Sequence, residues 1–323
     1  MKAAVYYETG SPDVFRYEDV PDPTSHPGGV IIDVEAVSIE GGDVLNRAGG
    51  DMASKPHIVG YQCAGTISEV GADVGDRKVG QRVVAVMANG SHAAKVSVPA
   101  AGTWPIPDGL DIKEAACIPV PFGTADDCLF EFGKLKAGET VLVQAGGGGV
   151  GLAAIQLAKR AGATVISTAS SAEKLERLRE FGMDHGINYR EEDFPARARE
   201  LTDGRGVDLV VDSIGGETLR GSLASLAYRG RAISVGHAGR AEDERIDPRV
   251  LLEGNRSLTG VFLGPEIFIN RQRVHPMIQG HIDDVAAGKL RVVIDRTFPL
   301  SEAAEAHRYI ESRKAVGRVL LIP

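Results

Sequence analysis

Three glycines at fixed spacing are the first feature of this sequence that suggests chemistry. Gly146, Gly148 and Gly151 form a G-x-G-x-x-G pattern that follows a short apolar β-run and opens an apolar, helix-forming stretch. In that context the early glycines permit a tight turn and a close backbone approach to a pyrophosphate, and the third lets the helix pack against the strand. The helix N-terminus then faces the anion. The sequence therefore predicts a dinucleotide site, with a glycine-rich turn that binds no ligand as the alternative.

The next strand end indicates which dinucleotide binds. An NAD site normally carries Asp or Glu about 20 residues beyond the glycines, where it binds the ribose 2′-hydroxyl. Here that position reads Ser-Thr-Ala-Ser-Ser over residues 167–171, followed by Lys174. The hydroxyls of Ser170 and Ser171 and the charge of Lys174 suit a 2′-phosphate, so we predict NADPH. The alternative is that a serine only caps the next helix and that Lys174 is a solvated charge.

The pattern of the N-terminal third predicts an antiparallel barrel or sandwich, because short apolar runs alternate there with Pro-, Gly- and Asp-rich turns. The predicted strands are Lys2–Tyr7, Phe15–Asp19, Gly29–Val37, Ala64–Val70, Gln81–Met87 and Ala93–Val98.

The middle of the chain has a different pattern, in which strands and helices alternate as in βαβ units with a parallel sheet. The predicted strands are Thr140–Gln144, Thr164–Thr168, Val207–Asp212 and Arg231–Val235, and the predicted helices are Val150–Ala161 and Ala172–Phe181. The last ~55 residues lack this regular alternation of strands and helices. They are predicted to form strands at Arg291–Phe298 and Gly317–Ile322 and a helix whose N-cap is Ser301.

These patterns predict an α/β domain with a doubly wound parallel sheet, residues 116–265, inserted between the two parts of a β-rich domain, residues 1–115 and 266–323. The length of 323 residues suits two domains. The net charge of −8 disfavours a nucleic-acid partner, and three cysteines allow neither a disulfide framework nor a structural zinc pair. No apolar run approaches the ~18 residues of a membrane span, and the N-terminal residues lack a signal peptide, so we expect a cytoplasmic protein with no membrane partner.

Several motifs together resemble the medium-chain dehydrogenase/reductase superfamily, and specifically its zinc-free quinone oxidoreductase (ζ-crystallin-like) branch. They are Val79–Val83, the glycine run Gln144–Gly151, Ile187–Tyr189, Val211–Gly215 and the ending Gly317–Ile322. The resemblance runs essentially end to end. It implies a Rossmann domain inserted in a GroES-like β-barrel catalytic domain, with the nicotinamide in the cleft between them, and a homodimer.

The resemblance also implies cofactor-binding positions along the chain. Thr124 would lie near the nicotinamide, and the pyrophosphate would lie near Gly146, Gly148, Gly149, Val150 and Gly151. The adenosine-phosphate pocket would contain Ser170, Ser171, Lys174 and Tyr189. The rest of the cofactor lining would contain Ser213, Gly236, His237, Val261, Phe262 and Leu263, and the cofactor would be covered from the C-terminus by Gly317 and Arg318.

Zinc-dependent relatives carry a catalytic Cys where this chain has the segment 38–43, and Gly-His-Glu where it has Gly60-Tyr61-Gln62. The histidine and the first cysteine of a zinc site are therefore missing, and we expect no metal. Cys63 and His57 flank this region, where a small buried thiol and a loop histidine are the expected roles.

The active-site turn departs from the branch. Its usual Asn-Phe-Xaa-Asp is replaced by Glu40-Gly41-Gly42-Asp43. We therefore expect a roomier and more acidic pocket, which leaves the native substrate open.

The candidate catalytic residues are Glu40, Asp43 and Tyr61, which could stabilise an oxyanion or donate a proton during hydride transfer from NADPH. Two neighbouring carboxylates could raise one pKa enough to keep a donor protonated. As alternatives, Asp43 caps the helix that follows, Glu40 pairs with Arg47, Tyr61 belongs to the core, and solvent supplies the proton.

Three functions remain open on the sequence. The leading one is an NADPH-dependent quinone oxidoreductase acting on a small-molecule electron acceptor. The second is an enoyl or alkenal reductase that saturates a conjugated enone, in a biosynthetic setting. The third, from another class, is a non-catalytic NADPH-binding protein.

Overall fold

The computed structural model of the chain describes residues 1–240 and 245–323. It divides into two compact units. The first comprises Met1–Val120 and Gly264–Pro323, and the second is the continuous segment Pro121–Leu263.

Strands and helices follow one another along the chain in both units. In chain order, the described strands are β1 Lys2–Val5, β2 Arg16–Asp19, β3 Gly29–Ser38, β4 Gln62–Val70, β5 Arg82–Val86, β6 Lys95–Pro99, β7 Thr103–Pro105, β8 Thr140–Val143, β9 Thr164–Ala169, β10 His185–Asn188, β11 Val207–Asp212, β12 Leu226–Ser234, β13 Ser257–Gly260, β14 Ile294–Pro299 and β15 Arg318–Ile322. The described helices are α1 Gly41–Gly49, α2 Ile112–Ala115, α3 Pro119–Asp126, α4 Gly149–Arg160, α5 Ala172–Arg179, α6 Phe194–Glu200, α7 Gly216–Ser225, α8 Arg249–Leu252, α9 Leu263–Ile269, α10 Arg271–Ala286 and α11 Ala303–Glu311.

The first unit is built around the long strand β3. Its sheet has the order β14-β15-β3-β4-β5-β7, and β6 also pairs with β3. The first half of β3, Gly29–Asp33, pairs with β6, whereas Val37 and Ser38 at its end pair with β15. By changing partners along its length, β3 joins the N-terminal strands to the last strand of the chain. Its buried side chains, with those of β4, β5 and β6, form the core of this unit.

The second unit contains a six-stranded parallel sheet of order β10-β9-β8-β11-β12-β13. Counted within the unit, this is the strand order 3-2-1-4-5-6 of the Rossmann fold. Strands buried on both faces need nearly continuous apolar sequence, and Thr140–Val143 is buried at every position. The core contains Leu142, Ile166, Val210 and Ala232, one from each of the four central strands.

The predicted fold class is confirmed, with differences in detail. The sequence analysis did not predict β7, β10 or β13 as strands. The helix expected after Ser301 begins at Ala303, because Leu300–Glu302 form a 3-10 turn first, and so Ser301 is not its N-cap. Among the described residues, no helix combines the length and the apolar character that crossing a bilayer requires.

Candidate active site and dinucleotide-binding turn

The glycine-rich turn joins β8 to α4, and close packing requires glycine at two of its positions. A Cβ added to Gly151 would lie 2.8 Å from the Cα of Gly146, and one added to Gly146 would lie 2.6 Å from the Cδ1 of Leu178. At Gly148 the nearest atom to an added Cβ is the carbonyl oxygen of Ala145, at an ordinary contact distance of 3.4 Å. Packing within the protein therefore explains the first and third glycines, and it leaves the second free to serve a ligand.

The turn presents backbone donors at a favourable edge of the sheet. Gly148 is the N-cap of the twelve-residue helix α4, whose first N–H groups have no acceptor within the helix. The strand order reverses between β8 and β11, and ligands of open α/β sheets bind at the carboxyl ends of the strands at such a point. Gly149, Val150 and Gly151 lie in the first turn of α4, at a helix N-terminus of the kind that suits an anion.

The structure brings the predicted adenosine-phosphate residues to the end of β9. Ser171 is the N-cap of α5, and its hydroxyl accepts the N–H of Lys174 at 3.3 Å. Ser170 precedes it directly, and Tyr189 follows the neighbouring strand β10 with 42% of its surface exposed. The capping role considered for a serine is therefore present at Ser171, and these positions include no carboxylate.

The other predicted lining residues of the second unit lie in separate segments. Ser213 follows β11, and its carbonyl accepts the N–H of Ala238, next to Gly236 and His237. After β13, Val261 and Leu263 are buried, whereas Phe262 is 75% exposed. Thr124 is a buried residue of α3.

Gly317 and Arg318, predicted to close over the cofactor, lie in the first unit. Gly317 has a φ of 107°, and a Cβ there would collide with the carbonyl oxygen of Val293. The guanidinium of Arg318 is buried, forms an ion pair with Glu40, and donates to Ser38 Oγ at 2.7 and 3.0 Å. In this structure the side chain of Arg318 therefore binds the acidic turn, residues Glu40–Asp43, through Glu40.

The acidic turn forms the N-terminus of α1. Glu40 is its N-cap residue, and the Glu40 N–H donates to Asp43 Oδ2 at 2.8 Å. Asp43 thus caps the helix from its third position. The alternative pairing of Glu40 with Arg47 is wrong, because Arg47 forms an ion pair with Glu311 instead.

Burial dominates the electrostatics of this turn. Glu40 is 4% and Asp43 0% exposed. Loss of water raises the pKa of Glu40 to about 7, against the opposing effect of Arg318. Burial, with the nearby carboxyl of Glu40, also raises the pKa of Asp43 well above its usual range. The turn therefore carries less negative charge than its two carboxyl groups suggest, because their raised pKa values favour the neutral form and Arg318 supplies a positive charge.

Tyr61 packs directly against the turn. A Cβ on Gly42 would lie 2.6 Å from the Tyr61 hydroxyl oxygen, so glycine is needed there for the ring to approach. Burial, together with the nearby carboxyls of Asp43 and Glu40, raises the pKa of the Tyr61 hydroxyl well above the usual value, so that it keeps its proton. An added Cβ on Gly41, in contrast, meets no atom within 4 Å. Among the three candidate catalytic residues, Tyr61 alone has intermediate exposure.

The sequence analysis missed three further members of this cluster. Ser38 donates to Glu40 Oε1 at 3.3 Å, and Gln62 donates to the same oxygen at 3.0 Å. The side-chain amide oxygen of Gln62, Oε1, in turn accepts the N–H of Val120 at 2.6 Å. Cys117 lies near Arg318, and burial raises the pKa of its thiol to about 12. No local pattern marked these residues, because only the fold brings them together.

Cys63 and His57 are placed as expected. Cys63 is a buried residue of β4 with a thiol pKa raised by burial to about 12. The imidazole Nδ1 of His57 accepts the N–H of Ala53 at 3.2 Å. Across residues 1–240 and 245–323, no three His, Cys, Asp or Glu side chains are grouped as metal ligands.

Two family models match this chain. The alcohol dehydrogenase GroES-like domain matches residues 26–108, and the zinc-binding dehydrogenase family matches residues 149–279. The chain therefore belongs to the medium-chain dehydrogenase/reductase superfamily, a class of oxidoreductases. Within it, the chain belongs to the zinc-free, quinone oxidoreductase-like branch, as its full-length relatives indicate.

Three relatives illustrate this branch. The 2-haloacrylate reductase of a Burkholderia species is 36% identical, over 100% of this chain and 99% of its own length. The structure of Escherichia coli quinone oxidoreductase complexed with NADPH has a TM-score of 0.94, with 30% identity and 100% of both chains covered. The CurK enoyl reductase has a TM-score of 0.88, with 29% identity and 99% of both chains covered.

The raised pKa of Glu40 predicts a pH-dependent stability difference between the wild type and Glu40→Gln. The folded state holds this proton up to about pH 7, whereas the unfolded chain releases it near 4.5. The contribution is therefore complete below about 4.5 and is lost as the pH rises through 7. We expect the wild type to lose up to about 3 kcal/mol relative to Glu40→Gln between pH 5 and 8.

Urea denaturation of both proteins across this pH range measures the difference. Parallel stability curves would contradict the prediction. Glu35→Gln provides a control, because Glu35 is an exposed carboxylate on β3.

Proposed function

We propose that this protein is an NADPH-dependent reductase of electron-poor acceptors, with quinones as the leading substrate class. The observation that carries the proposal is the turn at the start of α4, where close packing requires Gly146 and Gly151 but leaves space for a Cβ at ordinary contact distance beside Gly148. Backbone donors of a helix N-terminus border that space, as a pyrophosphate requires. The residues present therefore fit a dinucleotide.

The end of β9 favours NADPH over NADH. Ser170 and Ser171 occupy the position where an NAD site places a carboxylate, and Lys174 lies one helical turn further on. The structure of the related Escherichia coli quinone oxidoreductase contains NADPH, which supports the same cofactor here.

When bound, NADPH supplies a hydride, and the acceptor also needs a proton or a hydrogen bond to stabilise the oxyanion that forms. Tyr61 fits this role best. Burial keeps its hydroxyl protonated and therefore able to donate, and among the three candidates its side chain alone retains intermediate exposure. The side chains of Glu40 and Asp43 are buried; Asp43 accepts the Glu40 N–H, and Glu40 accepts from Gln62. We assign them to keeping Tyr61 protonated, because the negative charge of nearby carboxyls disfavours its phenolate form.

A conjugated carbon–carbon double bond is the second candidate acceptor. Quinones and enones both spread the negative charge of hydride addition onto a carbonyl oxygen, which a single hydroxyl donor can stabilise. The relative with 36% identity reduces a haloacrylate, and an enoyl reductase shares the fold, which supports this alternative.

Assays of NADPH oxidation with a simple quinone, a conjugated enone and a saturated ketone test the proposal. We expect the quinone and the enone to be reduced and the saturated ketone to remain unchanged, because only conjugated acceptors delocalise the added charge. Reduction of the saturated ketone alone would contradict the proposal. Tight NADPH binding without turnover of any acceptor would favour the non-catalytic alternative.

We predict that Ser170→Asp shifts the cofactor preference from NADPH toward NADH. A carboxylate at the end of β9 repels a 2′-phosphate and accepts hydrogen bonds from the ribose hydroxyls of NADH. The ratio of kcat/KM for NADPH to that for NADH should fall about tenfold or more, since one close charge repulsion exceeds the roughly 1.4 kcal/mol that this factor needs. Turnover with NADH serves as the folding control. An unchanged ratio would contradict the placement of the phosphate.

Tyr61→Phe should lower kcat about 100-fold, the usual contribution of a positioned proton donor, while the dissociation constant of NADPH stays the same. Steady-state kinetics and a fluorescence titration with NADPH measure the two quantities. The matched control is Tyr7→Phe, which removes a hydroxyl that bonds to Glu18 on the surface. If both variants keep the wild-type kcat, solvent supplies the proton and Tyr61 only lines the site.

A further inference from the structure

A chain of buried polar side chains crosses the carboxyl edge of the parallel sheet. Thr168 lies in β9, Gln144 follows β8, Asp212 ends β11 and Ser222 lies in α7, and none of them is more than 3% exposed. Thr168 donates to Gln144 Oε1 at 2.7 Å, and Gln144 Nε2 donates to Ser222 Oγ at 3.0 Å. Ser222 then donates to Asp212 Oδ2 at 2.7 Å.

Each end of this chain holds a backbone turn. At one end, Thr168 Oγ1 accepts the N–H of Ala145 at 3.2 Å, and Ala145 has a φ of 52°. Alanine adopts this left-handed conformation only at an energetic cost. At the other end, Asp212 Oδ1 accepts the N–H groups of Ile214 and Gly215 at 2.8 and 2.9 Å.

The two turns are those that the dinucleotide needs. Ala145 begins the turn that leads to the helix N-terminus at Gly149. The second turn follows Ser213, whose carbonyl accepts the N–H of Ala238 beside Gly236. The buried chain therefore connects the pyrophosphate turn with the segments predicted to line the rest of the cofactor.

The direction of every hydrogen bond in the chain is determined. The carboxylate of Asp212 accepts, so Ser222 donates to it and must accept from Gln144. The amide of Gln144 then turns its oxygen toward Thr168, whose hydroxyl donates and whose lone pair remains for the Ala145 N–H. Removal of one hydroxyl leaves buried donors or acceptors unpaired along the chain, which makes the members act together.

We propose that Thr168, Gln144 and Ser222 are positioning residues that set the affinity for NADPH without touching it, by holding both turns in one hydrogen-bonded unit. The inference rests on the proposed function, because it takes NADPH as the ligand.

The experiment measures dissociation constants of NADPH and of 2′,5′-ADP for Thr168→Val, Ser222→Ala and the double variant, together with thermal unfolding of each protein without ligand. We expect each single variant to bind NADPH about tenfold more weakly, and the double variant to bind no more weakly than the weaker single one. Ser222→Ala should also weaken the binding of 2′,5′-ADP, although Ser222 bonds to Asp212, at the end of the hydrogen-bonded series that is far from the pyrophosphate turn.

Two further variants separate positioning from general stability. Thr168→Ser retains the hydroxyl and should bind NADPH like the wild type. Ser225→Ala removes another buried hydroxyl of α7, which bonds only to the carbonyl of Gly221, and should keep the wild-type affinity even if its unfolding temperature falls.

Wild-type affinity in Thr168→Val and Ser222→Ala would overturn the inference, and so would an additive loss of about 100-fold in the double variant. If Ser222→Ala does not fold, the comparison of Thr168→Val with Thr168→Ser decides: equal affinities overturn the inference, and a loss in Val alone supports it. Failure of the wild type to bind NADPH would instead overturn the proposed function, so the two failures are distinguishable.

Discussion

The candidate active site in the first unit depends on the buried ion pair between Arg318 and Glu40. Arg318 begins the last strand of the chain, and Glu40 precedes α1, so the pair ties the C-terminus to the acidic turn. A buried charge without a partner costs several kcal/mol, so an apolar residue at position 40, which offers the guanidinium no hydrogen-bond acceptor from its side chain, would carry that penalty. The pair also uses the hydrogen bonds of Ser38 and Gln62, and it holds Glu40 where its backbone N–H meets Asp43.

Packing around the acidic turn explains one of its two glycines. Gly42 is not simply an empty position, because the ring of Tyr61 fills the space that a side chain there would occupy. The turn lacks an aromatic residue of its own and receives one from the segment before β4. Gly41, in contrast, faces open space.

The second unit combines two kinds of constraint at the carboxyl edge of its sheet. Steric contact makes glycine necessary at Gly146 and Gly151, so that α4 can start close against β8. Hydrogen bonds of the Gln144 side chain to Thr168 and Ser222 then connect the residues around the N-terminus of α4. Buried polar groups are costly when unpaired and rigid when fully paired, so a network of this kind favours a preformed ligand site.

Much of this organisation could be predicted from the sequence, because it depends on local periodicity. The apolar β-run before Gly146, the helix after it and the missing carboxylate near Ser170 are local signals, and they predicted the Rossmann sheet and its cofactor. Strands with weaker patterns, such as β7 and β13, were not predicted, since segments of three or four residues are too short to show a period and depend on their neighbours for pairing. The family motifs extended the prediction to the β-rich unit. The homodimer and the absence of a nucleic-acid partner stay predictions.

The pairing of distant side chains was decided only by the tertiary structure. Glu40 and Arg318 are separated by 278 positions, and no spacing rule connects them. The sequence instead suggested Arg47, a basic residue in the helix that follows Glu40, as the partner of Glu40. Likewise, Gln144 and Ser222 look like ordinary polar residues until the strand order brings their side chains together. The sequence by itself thus determined the elements and the chemistry available, because these follow from local residue types. The tertiary structure decided which groups are buried together, and burial determines their charge, their pKa and their partners.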